Sequence, residues 1–205
     1  MRRFLFGLVV ASVIAAAGCG SSSKSASSSS ATNDPPSAAN TNCAKPASGA
    51  TATIETNFGC IIVALDTQHA PKAAGRFIEL AKKGFYNGLT FHRVVPDFVI
   101  QGGDPSGDGT GSSGTPPVVG EVPKDGYPIG SLAAAKTPSD PDGTFDCQFF
   151  IVTGQQGTQL PPQYARFGRV VSGMDVAKKI ESLNSGGDGP PTQKVTMTKV
   201  TISGA

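Results

Sequence analysis

One stretch constrains this chain more than any other. Residues 91–114 read FHRVVPDFVIQGGDPSGDGTGSSG. Two apolar runs, Val94-Val95 and Phe98 to Ile100, flank Pro96, which cannot donate to a strand ladder and marks a bend. A glycine-rich loop ends the second run after Gln101. The first run reads as a buried strand that also carries His92 and Arg93. A cation inside an apolar run is costly unless it is paired or lines a cavity, so Arg93 marks either a structural ion pair at the core edge or a functional site. On a strand Arg93 and Val95 share one face, with Phe98 and Gln101 following across the bend. A second run, Gln148-Phe149-Phe150-Ile151, puts Gln148 and Phe150 on one face of another strand. Together these residues outline a shallow pocket with apolar walls, two amides and one guanidinium.

The rest of the chain is built of similarly short pieces. ATATIET (50–56) and CIIVAL (60–65) form a hairpin across Asn57-Phe58-Gly59. Residues 71–83 form a helix: Pro71 suits its first turn, and Ala73, Phe77, Leu80 and Ala81 make one apolar face. Lys82 and Lys83 sit where the helix dipole favours cations, and Gly84 suits the exit. Residues 104–128 are loop-like. Strands are expected at 130–135, 148–153 and 167–171. Ser172-Gly173-Met174-Asp175 resembles a capping box opening a second helix to about Leu183. A last strand at 195–202 breaks its alternation between Met197 and Val200, at a bulge. This mainly β pattern fits a barrel or a sandwich.

The N-terminus reads as an export signal. Arg2 and Arg3 precede an apolar run, 4–17, too short for a full membrane span. Ala16-Ala17-Gly18-Cys19 resembles a bacterial lipoprotein signal, with 1–18 removed and Cys19 lipidated. Residues 19–49 then form a flexible Ser/Ala-rich tether, too poor in large apolar residues to fold. The expected location is outside the cell, lipid-anchored to the outer face of the bacterial membrane or on its periplasmic side. The chain has 17 Lys and Arg against 15 Asp and Glu. Without Arg2 and Arg3 these balance, which argues against a nucleic-acid partner. Of the 4 cysteines, Cys43 and Cys60 suit a disulfide in an oxidising compartment; unpaired thiols are the alternative. No close cysteine pair accompanies the two histidines, His69 and His92, so no metal site is expected.

The central stretch, followed by GSLAAA, CQFFI and FGRVVSGMDV, closely resembles the cyclophilin-type peptidyl-prolyl isomerases over about 51–202. The resemblance implies a closed eight-stranded antiparallel β-barrel over residues 50–205, capped by two α-helices, with a substrate groove on its outer face. It also implies cis-trans isomerisation at proline without metal or cofactor, in a monomer acting on proline-containing segments of unfolded or exported proteins.

Residue by residue, the resemblance implies that Arg93 is the catalytic cation. Phe98, Val99, Phe150 and Leu160 form the proline pocket, and Gln101 and Gln148 hold the peptide backbone. Ala133 and Ala135 border the preceding residue's site. Ala134 stands where many members have asparagine, whose main-chain groups bind peptide, and Val99 where methionine is common. Tyr164, a further substrate-binding residue, replaces a histidine of many members, and Gln159 falls near the position of a tryptophan. His92 is counted with the substrate-binding residues of the groove, its ring read as structural and bonded to backbone rather than catalytic. The 136–146 connection looks long for the family. A non-catalytic peptide-binding or chaperone module on the same scaffold is the alternative, and a solute-binding lipoprotein leaves the central motif unexplained.

Overall fold

The computed structural model describes Cys43 and residues 49–205. The signal at 1–18, the lipidated Cys19 and nearly all of the 19–49 tether lie outside the described residues. The expected elements form in order: β1 (Thr51–Thr56), β2 (Gly59–Leu65), α1 (Pro71–Lys82), β3 (Thr90–Val95) and β4 (Val99–Asp104). β5 (Val118–Val119), β6 (Ser131–Ala134), β7 (Thr144–Phe145), β8 (Phe149–Val152), β9 (Arg166–Ser172), α2 (Met174–Glu181) and β10 (Met197–Ser203) follow. The stretch read as loop therefore contains β5, which pairs with β7 in a small ribbon apart from the main sheet.

The main sheet is antiparallel and has 8 strands in the order β10-β1-β2-β9-β6-β8-β4-β3. It is open, which corrects the expected closed barrel. β3 and β10 are its two edges, and between β3 and the chain facing it only isolated bridges form, Thr90 to Thr196 and Val94 to Gly189. The segment between Gly189 and Thr196 is longer than the stretch of β3 that it faces. It also contains Pro190 and Pro191, which have no N–H to donate. A continuous ladder cannot form there.

Strand alternation sorts the side chains onto two faces. Ile100, Leu132, Ala134, Phe149 and Ile151 point into the main core. Val99, Ala133, Phe150 and Val152 point outward into a second cluster beneath Tyr127. α1 covers the main core by inserting Phe77, whose ring lies 4.9 Å from Tyr86, 5.3 Å from Phe167 and 5.5 Å from Phe149. The same helix buries Arg76, which satisfies its charge through Asp146, Ser113 and Thr115. α2 packs Ala177 and Ile180 into the core. It lacks the expected capping box: its N-cap is Gly173 in the left-handed region, with no side-chain cap. A Cβ there would lie 2.1 Å from the Cys60 carbonyl oxygen, so close approach to β2 selects glycine over a capping side chain. The bulge in the last strand is present, as β1–β10 pairing skips Thr198.

Cys43 and Cys60 form a disulfide, with Cα atoms 5.6 Å apart. It pins the chain ahead of the domain to β2 across a sequence separation of 17. Cys147 is free and buried, and burial pushes its thiol up to about 12. Among Cys43, Cys60 and Cys147, thiol labelling of unfolded, unreduced protein should reach Cys147 alone. Reduction should expose all of them and lower stability by about 3 kcal/mol, the loop-closure contribution for a loop near this size. Labelling of all of them without reductant would contradict the bond.

Candidate functional site

The site grows out of one cross-strand row. Arg93 on β3 pairs with Gln101 on β4, Gln101 pairs with Phe150 on β8, and Phe150 pairs with Ala133 on β6. Neighbouring strands lie about 4.8 Å apart, so residues remote in sequence become adjacent side chains. Phe91 and Arg93 pair with adjacent residues of β4, Gly102 and Gln101, which makes His92 a bulge residue. The bulge keeps Phe91 and Val94 inward while Arg93 turns out.

The outer face holds a groove of about 210 Å³. Phe98, Val99, Phe150, Leu160 and Tyr164 supply apolar walls, and Arg93, Gln101 and Lys136 its polar edge, with Ala135 beside them. Phe98 reaches the groove through the β3–β4 turn, where Asp97 holds a φ of 54°. Its carboxylate accepts the Gln155 N–H, which fixes that turn. Tyr164 meets Phe150 edge-on at 5.4 Å. The Arg93 guanidinium carbon lies 6.0 Å from the Phe98 ring centre.

A chain of hydrogen bonds crosses the row. Arg93 Nη1 donates to Gln101 Oε1 at 2.9 Å, and Gln101 Nε2 donates to Gln148 Oε1 at 3.0 Å. Gln148 Nε2 then donates to the Gly109 carbonyl at 2.9 Å and the Gly111 carbonyl at 3.3 Å. Gln148 thus spends its amide on the glycine-rich loop rather than on the groove. Asp104 orders the same loop by accepting the N–H groups of Ser106, Asp108 and Gly109. On its other side Arg93 is held by Asp188: Nε donates to Oδ1 at 2.6 Å and Nη2 to Oδ2 at 2.7 Å. The hydrogen bonds from Arg93 hold the Asp188 carboxyl below the usual carboxylate range.

Not every expected residue reaches the groove. Ala133 is fully buried beside Phe150 in the second cluster and does not line the groove. Ala134 faces the main core and donates its N–H to the Ala165 carbonyl, so its side chain and amide take no part. His92 is corrected on both counts. It sits on a different hollow, of about 470 Å³, with Thr90, Asp104, Ser106 and Lys194. Both ring nitrogens are buried without any partner, so the expected bond to backbone is absent. Gln159 is exposed at the end of a short 3-10 turn.

Three contributors escaped the sequence reading. Tyr127, an isolated aromatic in a Gly/Pro-rich loop, underpins the groove: its hydroxyl donates to the Tyr164 carbonyl at 2.8 Å and accepts the Tyr164 N–H at 2.9 Å. Lys136 opens the 136–146 connection and bonds back to the carbonyls of Thr137 and Asp140, with its ammonium 5.9 Å from the Tyr164 ring centre. A cation opening a long loop is its only sequence signal. Asp188 carries none, being far from Arg93 in sequence. Among the described residues no three His, Cys, Asp or Glu gather in a metal-binding arrangement.

Comparison with known proteins agrees with this geometry. Residues 51–202 match the family model described as cyclophilin type peptidyl-prolyl cis-trans isomerase/CLD. A peptidyl-prolyl cis-trans isomerase of Schizosaccharomyces pombe is 36% identical over 151 residues, covering 71% of this chain and 94% of that protein. The human peptidyl-prolyl cis-trans isomerase-like 1 is 35% identical over 159 residues, covering 74% and 91%. A crystal structure of a Cryptosporidium parvum cyclophilin-type isomerase, in the presence of an Ala-Pro dipeptide, superposes with a TM-score of 0.68 at 28% identity. It covers 75% of this chain and 98% of that one.

His92 yields a pH prediction. Burial lowers its pKa, against the opposing pull of Asp104 and Asp108 and with the help of Arg93. The unfolded chain takes up this proton near pH 6.5, while the folded chain resists it. Stability from the neutral ring is therefore fully present above about pH 6.5 and is lost as pH falls through the lowered folded value. His92→Gln should flatten that limb of the denaturation-midpoint curve. An unchanged slope would show that the ring titrates alike in both states.

Proposed function

Because the chain belongs to the cyclophilin-type peptidyl-prolyl cis-trans isomerases, and is an isomerase of proline-containing substrates, we propose that Arg93 is its catalytic group and that its clients are exported proteins. The observation that carries the first part is the position of one guanidinium, held by Gln101, on the polar edge of a groove whose walls are apolar.

The chemistry needs no nucleophile. Rotation about an X–Pro bond is opposed by roughly 18–20 kcal/mol of lost conjugation in an amide. At the twisted state the nitrogen is pyramidal and its lone pair is free. A cation aimed at that lone pair stabilises the twisted amide more than either planar form, which is the condition for catalysis. Arg93 keeps N–H groups on Nη1 and Nη2 beyond those given to Gln101 and Asp188. Phe98, Val99, Phe150, Leu160 and Tyr164 would hold the proline ring. Gln101 Nε2 has one N–H left for a peptide carbonyl, whereas Gln148 acts by ordering the glycine-rich loop.

The address rests on the N-terminal residues. Arg2-Arg3, the apolar run and Ala16-Ala17-Gly18-Cys19 support export with a lipid at Cys19. The Cys43–Cys60 disulfide supports an oxidising compartment. The relatives named above are eukaryotic, so the bacterial lipoprotein form draws no support from them. On this reading the enzyme acts on proline-containing segments of proteins as they fold outside the membrane, tethered by residues 19–49.

Arg93→Ala should lower kcat/KM by about 10²-fold or more, as for one preorganised electrostatic group. Arg93→Lys should also be weak, because an ammonium lacks the planar fork of donors. Both should stay folded, since the side chain lies on the outer face. A folded Arg93→Ala enzyme with wild-type activity in a protease-coupled isomerisation assay would remove Arg93 from the mechanism. It would leave peptide binding as the groove's role.

Cys19→Ala should release the protein from the membrane fraction or block its processing. Soluble wild-type protein, with no lipid mass at Cys19, would defeat the anchor.

A further inference from the structure

The loop between α2 and β10 does more than connect them. Its Asp188 grips Arg93 through two parallel hydrogen bonds, of 2.6 and 2.7 Å. The pair is partly open to solvent, with side chains 31% and 58% exposed. An exposed ion pair adds little to folding stability. A two-point fork, however, fixes the orientation of a guanidinium as a single contact cannot.

The loop is itself clamped to β3 at the residue next to Arg93. The Val94 N–H donates to the Gly189 carbonyl at 2.8 Å. The Val94 carbonyl accepts from Asn184 Nδ2 at 2.7 Å. Asn184 also shapes its own loop, as its Oδ1 accepts the N–H groups of Gly186 and Gly187 at 2.6 and 2.8 Å. Asp188 is thus carried between two anchors on one residue of β3. With Gln101 on the other side, Arg93 is held from β4 and from this loop at once. A free arginine side chain would have to give up rotamer freedom each time it met the twisted amide.

We propose that Asp188 is a positioning residue for the isomerase reaction, presented by a loop that Asn184 and Gly189 clamp to β3, and that it preorganises the Arg93 guanidinium at the groove. This inference rests on Arg93 being the catalytic group. Asp188 need touch no substrate. Its carboxylate also offsets part of the arginine charge, so the net effect is a contest between a weaker field and a fixed one. The two-point geometry makes orientation the larger effect.

The test compares full-length wild type, Asp188→Ala, Asp188→Asn, Asn184→Ala and Arg93→Ala by isomerisation kinetics, with the Arg93 Nε–H resonance followed by NMR. Asp188→Ala should lose about tenfold in kcat with KM within about twofold, and the Arg93 Nε–H signal should broaden or vanish through faster exchange. Asp188→Asn, which keeps one acceptor oxygen, should fall between. Asn184→Ala should lower kcat in the same way, and the Asp188→Ala/Asn184→Ala pair should lose no more than the worse single variant. An Asp188→Ala enzyme as fast as wild type, while Arg93→Ala is impaired, would overturn this inference and leave the catalytic role of Arg93 intact. A faster Asp188→Ala enzyme would make the carboxylate a brake and overturn it too, as would a loss confined to KM. An active Arg93→Ala enzyme would instead remove the catalytic reading on which the inference stands.

Discussion

The structure depends on the register of four antiparallel strands, β3, β4, β8 and β6. One row of pairs, Arg93–Gln101–Phe150–Ala133, fixes which side chains stand next to one another. The same register sends Ile100, Phe149, Ile151, Leu132 and Ala134 inward, where the aromatic core gathers around Phe77. Core and groove are the two faces of one ladder. A slip of one residue would exchange them, placing an arginine in the core and phenylalanine rings in water. The cost of that exchange is what holds the site in place.

The open seam of the sheet bears directly on the chemistry. In a closed ladder β3 would be paired along its length. Instead Pro190, Pro191 and the extra length between Gly189 and Thr196 prevent pairing, and only Thr90 and Val94 bridge across. That leaves room for the α2–β10 loop to lie against Val94 and present Asp188 to Arg93. The edge strand is covered by a loop rather than a strand, which also hides backbone groups that would otherwise invite pairing with another chain.

Buried polar groups in the domain show two outcomes. Arg76 is buried yet bonded through Nε and Nη2, so it locks α1 to the 113–115 loop and Asp146. His92 is buried with both ring nitrogens unpaired, and burial lowers its pKa. The first is a satisfied network that specifies packing, and the second is a standing cost carried by the strand that also presents Arg93.

Much of this was legible in the residues alone. Alternation and turn chemistry located nearly every strand and both helices. Arg93, Phe98, Gln101 and Phe150 stood out because a cation and amides recur among apolar positions that share a strand face. That is local information, carried by periods of two and by glycine and proline. What the residues could not show were relations between distant segments. Sheet closure was decided by lengths on the two sides of one seam, and the α2 cap by how closely Gly173 approaches Cys60. The inward turn of Ala134, the unpaired ring of His92 and the diversion of Gln148 to the glycine-rich loop were decided by neighbours brought from elsewhere in the chain. Asp188 is the clearest case: nothing around it in sequence sets it apart, and only the folding of its loop onto β3 makes it the partner of Arg93. The sequence by itself determined the periodicity and chemistry of each strand. The tertiary structure alone decided which distant groups meet, because hydrogen bonds and ion pairs act over a few ångströms of space and not along the chain.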